Sequence, residues 1–265
     1  MNSFLFNRRT LIAAAAGLPF LKVQAQVLDI NDAINKAGRQ RMLSQRMGKA
    51  WLALVHKTES GSAQVVLDKS MALFDRQLIE LKAYAPSADI RDTYVKLEAA
   101  WSDYKTALIG TAPSKSGAAA VLQADARVLA LAHQGTVQYE AASGRPEGKL
   151  VNVAGRQRML SQRMAKLYFA ATLPIDAPTA TAEIDKARAE FLSAMDLLRN
   201  APEATARIKS ELQLADGQWF FFDNALKRMQ TAGAAAKPLS DVFVTSENLL
   251  SVMDRVTGMY AAIHT

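Results

Sequence analysis

A chain of 265 residues, half of them hydrophobic, can build two ordinary domains with buried cores. Its formal charge of +7 includes Arg8, Arg9 and Lys22 near the start; without them 29 basic residues face 25 acidic ones, +4, interspersed along helical faces with no polybasic run, which argues against a nucleic-acid binder. The absence of cysteine excludes disulfides, thiolate metal sites, covalent haem attachment and a lipoprotein anchor.

In chain order, residues 1–25 read as an export signal. Asn7-Arg8-Arg9-Thr10-Leu11-Ile12 has the form of a twin-arginine motif, and the weakly apolar run Leu11 to Leu21 is about half of the ~20 residues a spanning helix needs. Val23-Gln24-Ala25 then supplies small or apolar residues for a signal-peptidase cut before Gln26, by the twin-arginine or the general secretory route. A periplasmic protein is expected, and no later stretch is long and apolar enough to cross a membrane.

From Gln26 onward, apolar residues recur at three- and four-residue spacing and the alternation of strands is missing. Breaks fall at Ser60-Gly61-Ser62, Ala85-Pro86-Ser87, Gly110 to Gly117, Ser143 to Gly148, Pro174 to Pro178, Ala201-Pro202 and Gly233 to Pro238. They predict eight helices, four per half, each about 20 to 30 residues or roughly 30 to 45 Å long. The expected fold is all-α, two tandem four-helix up-down bundles packed as a pseudo-two-fold pair, with a first module over 26–142, a linker over 143–148 and a second module over 149–265.

The first helix carries Ala-Gly-Arg-Gln-Arg-Met-Leu-Ser-Gln-Arg-Met from Ala37 to Met47, and the fifth repeats it letter for letter from Ala154 to Met164. Core packing tolerates swaps among apolar residues, so preserving Arg, Gln and Ser twice points to a site. The halves also match at Phe74 and Phe191, Trp101 and Trp219, Tyr104 and Phe222, Leu129 and Leu250, and Tyr139 and Tyr260, with the offset drifting between helices as loop indels permit. These aromatics read as core.

On a helical wheel, Leu43, Met47, Ala50 and Leu54 form one face of the first helix, the bundle's core stripe. Opposite lie Ile34, Ala37, Gly38, Arg41, Gln45 and Gly48, a ridge of small residues around one arginine, repeated as Val151, Ala154, Gly155, Arg158, Gln162 and Ala165. Small residues let another helix approach, so facing ridges would bring Arg41 and Arg158 together at a seam. Two guanidinium groups there repel unless an anion lies between them, and their forks suit planar oxyanions such as nitrate, nitrite or carboxylate. Gly38 and Gly155 would leave backbone open to such a ligand. The flanking Asn35, Arg39 and Arg46, their counterparts Asn152, Arg156 and Arg163, and the repeated Ser44 and Ser161 are secondary candidates; those four arginines are expected to pair with carboxylates or lie on a solvated face.

The stretch Asn35 to Arg46 resembles the N-terminal helix of PilJ-type sensory domains, the type IV pili methyl-accepting chemotaxis transducer N-terminal family. It is also similar to the P-box of the NarX and NarQ nitrate/nitrite sensor kinases, and Asn152 to Arg163 matches the same pattern. The resemblance implies a periplasmic four-helix bundle that binds nitrate or nitrite at a two-fold seam, with Arg41 and Arg158 as the anion-contacting arginines and Gly38 and Gly155 beside them. It also assigns Lys36 a part in ligand discrimination, for which the second copy has Val153.

No catalytic constellation is present. His56, His133 and His264 have alanine three residues before them, which excludes the Glu-x-x-His pattern of di-iron bundles, and they read as surface or cap residues. Without phosphate loop, nucleophile motif or paired carboxylates, the chain reads as a non-enzyme with no metal and no cofactor. Three functions follow: binding of a small anion between the modules, docking of the ridge on a membrane-bound sensor, chemoreceptor or pilus-linked partner, or homodimerisation of separate bundles through each ridge.

Overall fold

A computed structural model describes residues 26–173, 177–228 and 236–263. The export signal read at 1–25 and His264 lie outside the described residues. Among the described residues eight helices follow one another: α1 (Ile30–Val55), α2 (Ser60–Tyr84), α3 (Ala88–Ile109), α4 (Ala118–Ser143), α5 (Pro146–Ala171), α6 (Ala177–Asn200), α7 (Ala206–Lys227) and α8 (Ala236–Ala261). Asp29, Ser87 and Thr205 begin α1, α3 and α7 by accepting the amides of Asp32, Ile90 and Ile208, which satisfies donors that have no acceptor within the helix.

Several expected breaks fall inside first turns instead. Ser60 to Ser62 opens α2, Pro146 to Gly148 opens α5, and Pro178 and Pro238 stand in the first turns of α6 and α8. The reason is that first-turn amides lack intrahelical acceptors, so proline loses nothing there and its fixed φ fits the helix. Of the expected linker over 143–148, only Gly144 and Arg145 lie between helices, and Gly144 adopts a left-handed φ of 59°.

Within the first half α1 packs on α2 and α4, and α3 on α4; in the second half α5 packs on α6 and α8, and α7 on α8. The repeated aromatics build the same core twice. Phe74 meets Trp101 at 4.3 Å between ring centroids and Phe191 meets Trp219 at 4.4 Å, while Tyr139 and Tyr260 donate to the carbonyls of Leu81 and Leu198. These are two four-helix bundles of one design.

The broadest packing in the molecule joins the two bundles, α1 against α5. The pair runs parallel and in register. Gly148 lies beside Ile34, Gly155 beside Gly38, Lys166 beside Gly48, and Phe169 and Thr172 beside His56, so contacts advance together along both chains. The up-down order requires this, because α4 descends and a two-residue turn returns α5 in the direction of α1. The ridges therefore meet within one chain, which replaces the alternative of separate bundles pairing through exposed ridges.

Because each central helix faces its own bundle on one side and the other bundle on the opposite side, α1 and α5 are buried almost all round. Ile34, Ala37, Arg41, Gln45 and Leu43 are all fully covered. Burying an apolar side chain contributes about 1.5–3 kcal/mol, and the ridge adds this to both bundles at once. No helix among the described residues is long and apolar enough to cross a membrane.

Candidate functional site

Arginine side chains on a helix lean toward its N-terminus, so Arg41 and Arg158 reach back to the level of Gly38 and Gly155. A Cβ at Gly38 would lie 3.3 Å from Arg41 Nη2 and 3.6 Å from Arg158 Nη2; one at Gly155 would lie 3.2 Å from Arg158 Nη2 and 3.8 Å from Arg41 Nη2. Both guanidinium tips thus rest over the crossing of two glycines, which is why the ridge needs them.

Each arginine then bonds to the opposite module. Arg41 Nη2 donates to Asn152 Oδ1 at 2.6 Å and to its carbonyl at 3.3 Å, and Arg158 Nη2 donates to the carbonyl of Asn35 at 3.0 Å. Both side chains are fully buried, and the Nε of each has no partner among the described residues. Burial, with repulsion from Arg156 and Arg158, lowers Arg41 to about 9; burial, with repulsion from Arg39 against the pull of Asp254, lowers Arg158 to about 10. Both remain charged at neutral pH.

The repeat is not symmetric at its outer edge. The fourth helices match with an offset that sets His133 of α4 opposite Asp254 of α8, the same offset that relates Tyr139 to Tyr260. Asp254 accepts from Arg158 Nη1 at 2.5 Å and from Arg39 at 2.9 Å. Burial works against its charge, but Arg158 and Arg39 outweigh it and bring the carboxyl down to about 2. On the other side Arg41 Nη1 lies 3.3 Å from His133 Nδ1. An arginine only donates, so that nitrogen must accept, which requires a neutral imidazole. Burial and then Arg41 and Arg156 lower the His133 pKa, in keeping with that form.

Two turns further along lies a second polar layer. Lys166 of α5 donates to Asp125 of α4, which also accepts from Gln45 Nε2 at 2.7 Å, while Lys49 of α1 donates to Ser246 Oγ at 2.9 Å and Glu247 at 2.7 Å on α8. Each lysine crosses to the fourth helix of the other bundle. Burial pulls Lys49 down to about 8 against the attraction of Glu247. The repeated string stops two residues short of these lysines, and only extending the alignment of Lys49 with Lys166 would have shown them.

The remaining candidates serve structure in several ways. Ser44 and Ser161 donate to the carbonyls of Arg41 and Arg158, and Asn152 also donates to Glu140. Arg39 and Arg46 cross the seam to Asp254 and Glu247 on α8, whereas Arg156 and Arg163 pair with Glu190 and Glu183 on α6 of their own bundle. Lys36 turns away from the glycine crossing, toward Asp32 at 3.0 Å and Glu80 at 2.8 Å. Among the described residues no cluster of three or more His, Asp or Glu is arranged to hold a metal ion. His133 is exposed, as expected of a surface residue, but its bond to the buried Arg41 is a contact that sequence reasoning did not show.

What the fold and seam define is a tandem pair of four-helix sensory bundles. The family model for the type IV pili methyl-accepting chemotaxis transducer N-terminal domain, PilJ, matches residues 23–134 and again 140–243, and the chain belongs to this family as two tandem PilJ domains. Each is a sensory module of the chemotaxis-transducer type, and modules of this kind are typically non-catalytic. Neither a curated protein nor a solved structure gives a significant match to the chain.

Proposed function

We propose that this chain is a periplasmic, non-enzymatic binding protein for a small oxyanion, nitrate or nitrite, held in the seam by Arg41 and Arg158 beside Gly38 and Gly155. The observation that carries this reading is the pair of fully buried guanidinium groups over the glycine crossing, with one carboxylate, Asp254, bound directly to Arg158 and none bound directly to Arg41 among the described residues. Buried cations of like sign raise each other's free energy, and an anion with planar oxygens offsets that cost and offers acceptors to the unpartnered Nε donors. Because each Nη2 donates to the opposite module, a ligand exchanging with those bonds alters how the bundles meet.

The test is a thermal-shift screen of nitrate, nitrite, chloride and small carboxylates, followed by calorimetry with Arg41→Ala and Arg158→Ala. A ligand that binds only the folded form raises its stability. Saturable binding by the parent protein and a large loss in either variant is expected. Unchanged affinity in both would sink the reading.

A second reading is docking on a membrane-bound sensor or chemoreceptor. It draws on the exposed pair Phe220 and Phe221 of α7, where the matching helix of the first bundle carries Ser102 and Asp103. Crosslinking to a partner that is lost in Phe220→Ser with Phe221→Asp, at unaltered anion binding, would separate it from the first.

A further inference from the structure

The two arginines of the seam stand in unequal settings, and the inequality says more about the ligand than their likeness does. Arg158 is closed on its outer side by the Asp254 carboxylate, which Arg39 holds from the other bundle. Arg41 has in the matching place an uncharged acceptor, His133, whose ring is exposed to solvent while the guanidinium beneath it is fully buried. A formal negative charge is thus built in on one side and missing on the other.

Several charges face the imidazole. From α1 comes Arg41, from α5 Arg156, from α6 Glu190 and from α4 itself Glu140; on α3 the buried Tyr94 hydroxyl lies in the field of the same Arg41. Arg156 is occupied by Glu190 and Glu140 by Asn152, so neither carboxylate reaches Arg41 by a direct bond. Protonating His133 abolishes the acceptor that Nδ1 gives to Arg41 and sets two cations 3.3 Å apart. A monovalent anion seated between imidazolium and guanidinium answers both losses, since it accepts from each.

We infer that His133 is a ligand-site residue and that the seam takes its oxyanion on the Arg41 side together with one proton from solvent, which His133 holds while the anion is bound. This rests on the anion-binding reading above and gives it a direction: the Arg41 side is the variable half, and the Arg158 side is closed by Asp254. Neutral His133 occupies Arg41 when the site is free, and the proton and anion enter together. The bound state has the charge balance that Asp254 gives permanently to Arg158.

The experiment is calorimetric titration of the full chain with sodium nitrate and with sodium nitrite, between about pH 5.5 and about pH 8, in buffers of differing ionisation enthalpy. Uptake of up to one proton per anion is expected, with affinity falling by up to about tenfold per pH unit on the alkaline side. His133→Gln keeps an acceptor and cannot take the proton, so its binding, weakened or lost, has no pH dependence in this range. His133→Asp copies the Arg158 side and should abolish nitrate binding while its helix content and unfolding midpoint hold.

Binding by the parent protein that is lost in Arg41→Ala but shows no proton uptake would overturn the inference and leave the anion site standing. A His133→Gln profile that follows the parent's pH dependence, or undiminished binding by His133→Asp, would also overturn it. Failure of the parent to bind either anion at any pH removes both readings together.

Discussion

Lys166 of the second bundle donates to Asp125 of the first, and both side chains lie inside the seam, Asp125 with no exposure at all. Removing one member of a buried pair leaves an uncompensated charge and costs about 3–5 kcal/mol. Asp125→Ala should therefore lower the urea unfolding free energy by that amount, and Asp125→Leu combined with Lys166→Met should restore most of it. A loss below about 1 kcal/mol in Asp125→Ala would show that the pair adds nothing to the joint between bundles.

The arginines should differ in what they do for stability. Arg158→Met deprives Asp254 of its shorter partner and leaves Arg39 to hold it, so a loss of about 2 kcal/mol is expected. Arg41→Met removes a buried cation that repels Arg156 and Arg158, at the cost of the bonds to Asn152, and should change stability by less than about 1 kcal/mol. Chemical denaturation of the two variants in the absence of added anion gives the order, and a larger loss in Arg41→Met would contradict it.

Acid should weaken the fold in two windows. His56 and His133 have folded values below the ordinary 6.5, so the unfolded chain takes up protons first and stability declines as pH falls below about 6.5. Glu247 is opposed by burial but drawn down to about 2 by Lys49 and Arg46, as Asp254 is by Arg158 and Arg39. Their stabilisation is complete above the unfolded carboxylate range near about pH 4 and is lost as pH falls from there toward about 2. Unfolding midpoints across pH should show the deeper fall in the second window, and Glu247→Gln should flatten it.

The joint between α4 and α5 turns on Gly144, whose φ of 59° is unfavourable for residues with a Cβ. Nothing lies within 4 Å of where that Cβ would be, so backbone strain alone is tested there. Gly144→Ala should cost about 1–2 kcal/mol and Gly144→Asn less, because asparagine tolerates the left-handed region. Equal losses for both would point to a different backbone requirement.

The spacing of Trp101 and Tyr104, matched by Trp219 and Phe222, made the doubled bundle legible, since an aromatic core repeats with its helices. The ridge of Gly38 and Arg41 was legible for the same reason, as its small residues and its charge fall on one face. Lys36 was not. Its destination depends on Asp32 and Glu80, and a helical wheel does not show which neighbouring helix a long side chain will find. His133 escaped because its meaning lies in a comparison with Asp254, across an offset that had drifted by the fourth helix. The starts of α2 and α5 were misplaced because glycine and proline were read as breaks where first turns accommodate them.

The two-residue connection at Gly144 and Arg145 fixes the stoichiometry of the seam. A tether holds two faces at an effective concentration on the order of millimolar or above, so the pair stays together however dilute the protein becomes. It also frees evolution from symmetry. In a dimer of identical chains every substitution is made twice, and a histidine on one side forces a histidine on the other; fused as one chain, His133 and Asp254 could diverge, and the two halves could take different duties.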